Sequence, residues 1–236
     1  MGGRGQSSPG GNATGRTNNP SGGVTINNDE IAFDGELVYG EKDSEISGVV
    51  RPAIDAFEAK RKNQKVEYGN TVKADGDDLG EVRGGKNGVS VPFWYIDGPT
   101  AKDGAYSHIH PRGEGKLGGT FSVANGSEEA DLEIWAGGDV KTFRAAAKEG
   151  IYSISKKSNF DKSGFVDYAR QANTSARKTE KAANDEAYKG YVDGEYSYEE
   201  YLRRCDKHFN NFLIENHNAL LAGQKKYGYT YTLERW

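Results

Sequence analysis

The 236-residue chain contains one cysteine, one methionine and six prolines, and only 35% of it is hydrophobic. With Cys205 alone, no disulfide can close within the chain, which favours a reducing compartment. Nowhere do apolar residues run for the roughly 20 positions that a membrane-spanning helix needs, so no span is expected. The opening residues MGGRGQSSPGGNATGR lack the apolar stretch of a cleavable secretory signal. The expected location is cytoplasmic, or exported by a route that uses no conventional signal peptide. Lys+Arg 31 against Asp+Glu 35 gives a formal net charge of −4 with the signs interspersed. Nothing in that balance favours tight binding to nucleic acid.

Glycine (32) and tyrosine (14) are what the chain has in quantity. Residues 1–28 are almost wholly Gly, Ser, Asn, Thr and Arg, with too little apolar surface to offset the entropy of ordering them. They read as a disordered tail or linker. From Ile31 the pattern changes to short apolar runs divided by Gly, Asp and Asn. A helix is expected over Ser47–Arg61, where Val50, Ala53, Ile54 and Phe57 share a face. Extended segments are expected at Lys65–Ala74, Gly88–Ile96, Ala105–His110 and Gly150–Lys157, and a helical stretch over Glu128–Lys148, broken at Gly137–Gly138. Residues 29–157 thus read as an α+β core, and 158–236 as a helical hairpin followed by a final strand over Tyr227–Leu233. In the second hairpin helix, Ser197 and Glu200 form a capping box. Tyr198, Tyr201, Leu202, Cys205, Phe209, Phe212, Leu213 and Leu220 run along one face, with Cys205 expected as a small core residue.

Two of the four histidines fall together as His108-x-His110, followed by Pro111, in GAYSHIHPRGEG. On a strand, residues two apart face the same side, so both imidazoles project together. Such a pair can reach one Zn2+ at about 2.0–2.1 Å, and Pro111 ends the strand. A catalytic zinc needs a third protein ligand and an open position, and Asp131, at the start of a helix, can supply that ligand. A carboxylate from another strand would then handle the proton of the activated water.

His-x-His-Pro followed by a serine and an aspartate, with a glutamate on an earlier strand, resembles the signature of the JAB/MPN (JAMM) zinc metalloproteases. The likeness covers roughly residues 50–157. It implies a mixed sheet flanked by helices, with zinc as the cofactor. The activity it implies is peptidase or isopeptidase, acting on a protein or peptide substrate. It also implies a kinship with bacterial toxin or effector modules, for which a cognate immunity protein would be a partner. Carried over by position, His108, His110 and Asp131 would hold the metal. Ser122 or Ser127 would supply the hydroxyl that steadies the oxyanion. Glu67, in Lys-Val-Glu-Tyr-Gly, would be general base and then acid, with Glu81 the other candidate. The same likeness admits a second reading, a catalytically inactive protein-interaction module.

A cupin barrel also uses His-x-His followed by a glutamate, as His108, His110 and Glu114 do here, but the second cupin motif is absent and the long helices argue against a barrel. His208 and His217 lie on the amphipathic helix and read as partly exposed helix residues.

Overall fold

The structure, a computed structural model, describes residues 36–111, 117–124 and 130–236. The tail over 1–28, the insertion residues 113–116 with Glu114 among them, and Ser127 lie outside the described residues.

Pro52 opens the first helix, α1 (Arg51–Arg61), where its missing N–H costs no hydrogen bond, and Lys60 and Arg61 sit at the helix's partly negative end. The helix starts at Arg51 rather than Ser47, because Ser47 Oγ accepts from Val50 N (3.3 Å) in the preceding turn. Strands β1 (Tyr68–Val72) and β2 (Asp78–Arg83) form an antiparallel hairpin. No strand is expected from the sequence at β2, whose DLGEVR is tolerable only as a sheet edge with water on its free side. Gly88–Ile96, expected as a strand, joins no ladder. Pro92 has no N–H to give, and Phe93–Tyr95 wind into a single 3-10 turn.

Then follow β3 (Ala105–Ile109), α2 (Asp131–Gly137), β4 (Thr142–Ala146) and β5 (Ile151–Lys156). The helix expected over Glu128–Lys148 does end at Gly137–Gly138, but it does not resume. Residues 142–146, in spite of their alanines, are a central strand fully buried on both faces. Pairing on either side overrides local helix propensity there. Asp161 caps α3 (Lys162–Val192) by accepting from Gly164 N, and Ser197 caps α4 (Tyr198–Tyr227) by accepting from Glu200 N, as the capping box predicts. Gly228, at φ 69°, ends α4 in the left-handed region and turns the chain directly into β6 (Tyr229–Glu234).

The six strands make one open mixed sheet in the order β2-β1-β3-β4-β5-β6, parallel only between β3 and β4. The α+β expectation with a mixed sheet and flanking helices is met, and the open sheet excludes a cupin barrel. On one face Tyr106, Phe143, Ile154 and Tyr231 align across four strands, under α2, α3 and α4. This main core joins residues of both segments distinguished in the sequence, since Leu132 and Trp135 pack in the same cluster as Phe165, Leu220 and Leu233.

The other face carries α1 and a buried ionic cluster. Arg144 of β4, fully buried, donates to Glu58 of α1 at 2.7 and 2.8 Å and reaches Glu234 of β6 at 3.4 Å. Those carboxylates push the guanidinium pKa further up against the opposing effect of burial. Removing one partner would leave a buried charge uncompensated, so the cluster fixes α1 and the last strand against the same central strand. His217, expected to be partly exposed, is fully buried, with Nδ1 2.9 Å from the Tyr231 hydroxyl. Cys205 is half-buried and outside the core clusters.

Candidate metal centre

His108 lies on β3, on the face covered by α2, and His110 follows the strand's last residue. The ladder continues one step past the strand through His110 N to Ala146 O (2.9 Å), so both rings stay on one side. Their centroids are 4.7 Å apart and their Nε2 atoms 2.8 Å apart. His110 Nδ1 lies 3.1 Å from the carbonyl of Gly118 and 3.0 Å from that of Gly119. Carbonyls only accept, so Nδ1 carries the proton and Nε2 keeps its lone pair for the centre. The Gly119 backbone sits at φ 86°, a conformation that favours glycine.

The two glycine amides are held in turn. Gly118 N donates to Glu149 Oε2 (2.9 Å) and Gly119 N to Glu149 Oε1 (2.8 Å), and Tyr152 OH donates to Oε1 (2.7 Å). A buried carboxylate therefore clamps the loop whose carbonyls orient His110. Sequence reasoning missed Glu149, because a glutamate before a glycine at a strand turn carries no local signal; only the fold brings it to this loop.

Asp131 is the first residue of α2, and its Oδ2 lies 3.6 Å from His108 Nε2. Ser122 N and Ser122 Oγ each donate to that oxygen at 2.8 Å, while Asp131 N donates to Ser122 Oγ at 3.1 Å. The Ser122 hydroxyl is thus engaged with the aspartate; acting on an oxyanion would require it to leave. Burial opposes ionisation of Asp131, yet His108 and the Ser122 donors outweigh it and hold the carboxyl well below the usual range. Burial likewise opposes a charged His108, but the carboxylates of Asp131 and Glu67 raise its pKa. His110 is pushed down to about 4 by burial and by His108.

One ligand atom from each of His108, His110 and Asp131 lies within 4.8 Å of the others. In a tetrahedral site with bonds of about 2.0–2.2 Å, ligand atoms stand about 3.3–3.6 Å apart, so the group needs little rearrangement to close on one ion. Two imidazole nitrogens and a carboxylate suit a borderline cation; His110 and Asp131 are each oriented by further hydrogen bonds, whereas the buried Nδ1 of His108 has no hydrogen-bond partner among the described residues.

The three residues open on a cleft of about 760 Å³ that also contains Glu67, Ser122, Val91 and Phe143. Glu67 sits just before β1, tied through its backbone to Gly84 and Gly85. Burial pushes its carboxyl up to about 7, His108 opposing and Asp131 adding to the rise. Glu81 stands elsewhere, on edge strand β2, bonded to Lys60 (2.7 Å) and to Arg61 Nε (2.8 Å). These cations outweigh its partial burial and keep its pKa low. The fold therefore brings His108, His110, Asp131, Ser122 and Glu67 together and leaves Glu81 in an ion pair. Searches of protein-family models, of curated proteins and of solved structures give no match to this chain.

Proposed function

We propose that the chain is a zinc-dependent peptidase or isopeptidase, with His108, His110 and Asp131 as metal ligands and Glu67 as the proton-transfer group. The observation that carries this reading is a half-buried carboxyl, poised near neutral pH, in the same cleft as a preorganised His-His-Asp group. A bound zinc ion would supply Lewis-acid activation of water and of a substrate carbonyl. Glu67 would accept a proton from the attacking water and return it to the departing amine. Ser122 would hold Asp131 in place, Gly118 and Gly119 would hold His110, and the walls around Val91 and Phe143 would bind an extended stretch of a protein substrate. The likeness of the His-x-His-Pro motif to JAB/MPN metalloproteases points the same way.

Elemental analysis after dialysis, on wild type beside His108→Ala/His110→Ala, tests the ligand set. The expected result is near-stoichiometric zinc that the double substitution removes. Hydrolysis of a mixture of unstructured peptides, followed by mass spectrometry, then tests the reaction. Zinc without turnover in that assay and on isopeptide-linked substrates would favour the interaction-module reading; no zinc in the wild type, even after adding it, would overturn the proposal.

A further inference from the structure

The main core takes Phe165 and Ala169 from α3 and Ile214, Leu220 and Tyr227 from α4, and none of residues 170–211 belongs to it. At 1.5 Å per residue the 31 residues of α3 span about 46 Å, so the distal half of the hairpin is held chiefly by its own two helices. Yet the apolar stripe of both helices continues to the tip. There Tyr188 is 54% exposed, Val192 60%, Tyr198 57% and Leu202 43%. Tyr191 joins them, its ring centroid 5.7 Å from Tyr198 and 5.6 Å from Tyr201, and Tyr188 lies 6.0 Å from Tyr201. A contiguous patch of four tyrosines at the end of a projecting hairpin is not explained by packing, and such patches mark interaction sites.

The surrounding charge selects the partner. Asp193, Glu195 and Glu199, in the turn and the first turn of α4, make no ion pair among the described residues. Tyrosine rings present a negative face that attracts ammonium and guanidinium groups. The tip already contains one such contact, with the Arg204 guanidinium carbon 3.9 Å from the Tyr196 ring centroid. We propose that the tip of the α3–α4 hairpin is a docking surface for a lysine- and arginine-rich segment of a partner protein. The surface is remote in sequence from the metal ligands and does not rest on the cleft's chemistry.

The test uses the full chain and a labelled peptide of lysine, arginine and glycine, with a glutamate–glycine peptide of equal length as control, in fluorescence polarisation at low and physiological salt. The basic peptide binds, the acidic one does not. Tyr188→Ser/Tyr198→Ser weakens binding by about tenfold. Glu195→Gln/Glu199→Gln also weakens it and flattens its salt dependence. All four side chains are at the surface, so circular dichroism stays unchanged and a loss of binding is not a loss of fold. Failure of the basic peptide to bind, or binding indifferent to the tyrosine pair, would overturn the proposal. So would concentration-dependent self-association that the tyrosine substitutions abolish, which would make the tip a contact between copies of this chain.

Discussion

Ser122 and Asp131 are nine residues apart in the chain, yet the amide and the hydroxyl of Ser122 both donate to the same Asp131 carboxylate oxygen at 2.8 Å. The resemblance to JAB/MPN proteins expects a serine three residues before the aspartate, a spacing neither Ser122 nor Ser127 has. Folding brings Ser122 to the aspartate all the same, and Leu132 N closes the loop on Ser122 O (3.2 Å).

Ser122→Ala removes the hydroxyl donor and leaves the amide donor, so Asp131 keeps its place with less restraint. Metal affinity falls by about tenfold, the lower end of what outer-shell partners contribute. A competition titration with a chromophoric chelator reads this directly. An unchanged affinity would mean that the hydroxyl does not orient the ligand and would return it to a role in the reaction.

Glu149 acts one layer further out. Glu149→Gln replaces one of two accepting oxygens by an NH2 that faces a glycine amide, donor against donor. The loop carrying the His110 acceptors then loosens, and metal affinity falls by about 10- to 100-fold. Tyr152→Phe leaves both glycine amides clamped and serves as the control, with affinity retained. The visible spectrum of the Co2+-substituted protein separates the two cases, since only the glutamine variant alters the ligand field.

What was legible in the sequence was chemistry with a short period. Two histidines two apart on a strand, a capping box at Ser197 and an amphipathic pattern in α4 each rest on a handful of neighbouring residues. What was not legible depended on distant partners. Residues 142–146 end in two alanines and become a strand because β3 and β5 flank them. Phe93–Tyr95 fail to become one because Pro92 breaks the donor row. His217 sits on a helix whose pattern marks it as partly exposed, but β6 folds back over it and buries it. The two candidate glutamates, Glu67 and Glu81, are ambiguous in sequence for the same reason: only the packing of α1 on the sheet gives Glu81 to Lys60 and Arg61, away from the cleft.

That division of roles predicts opposite outcomes for two conservative changes. Glu67→Gln retains the metal and lowers peptide turnover by about 10²- to 10⁴-fold, the usual contribution of a positioned proton-transfer group. Glu81→Gln leaves turnover intact and costs under about 1 kcal/mol of stability, because its ion pairs are partly solvated. Glu67 must be ionised to accept a proton, so turnover rises with pH through its pKa. A dication in the site favours the carboxylate, which places that limb below the value of about 7 set by burial in the metal-free protein. Steady-state rates across pH, compared for the two variants, check both statements.

His217 makes the fold sensitive to acid independently of the cleft. Burial pushes its imidazole down to about 4, against about 6.5 in the unfolded chain. Between those values the unfolded state binds a proton that the folded state refuses, so stability rises with pH across this window. The contribution is fully present above pH 6.5 and is lost as pH falls towards 4, a change of about 3 kcal/mol in all. Urea unfolding at a series of pH values between 7 and 4 measures the slope, and His217→Gln should reduce it. The difference between the two proteins isolates this residue, because His110, pushed down in the same way, is common to both. Equal slopes would show that the ring is reached by water or tilts to a new acceptor when it is protonated.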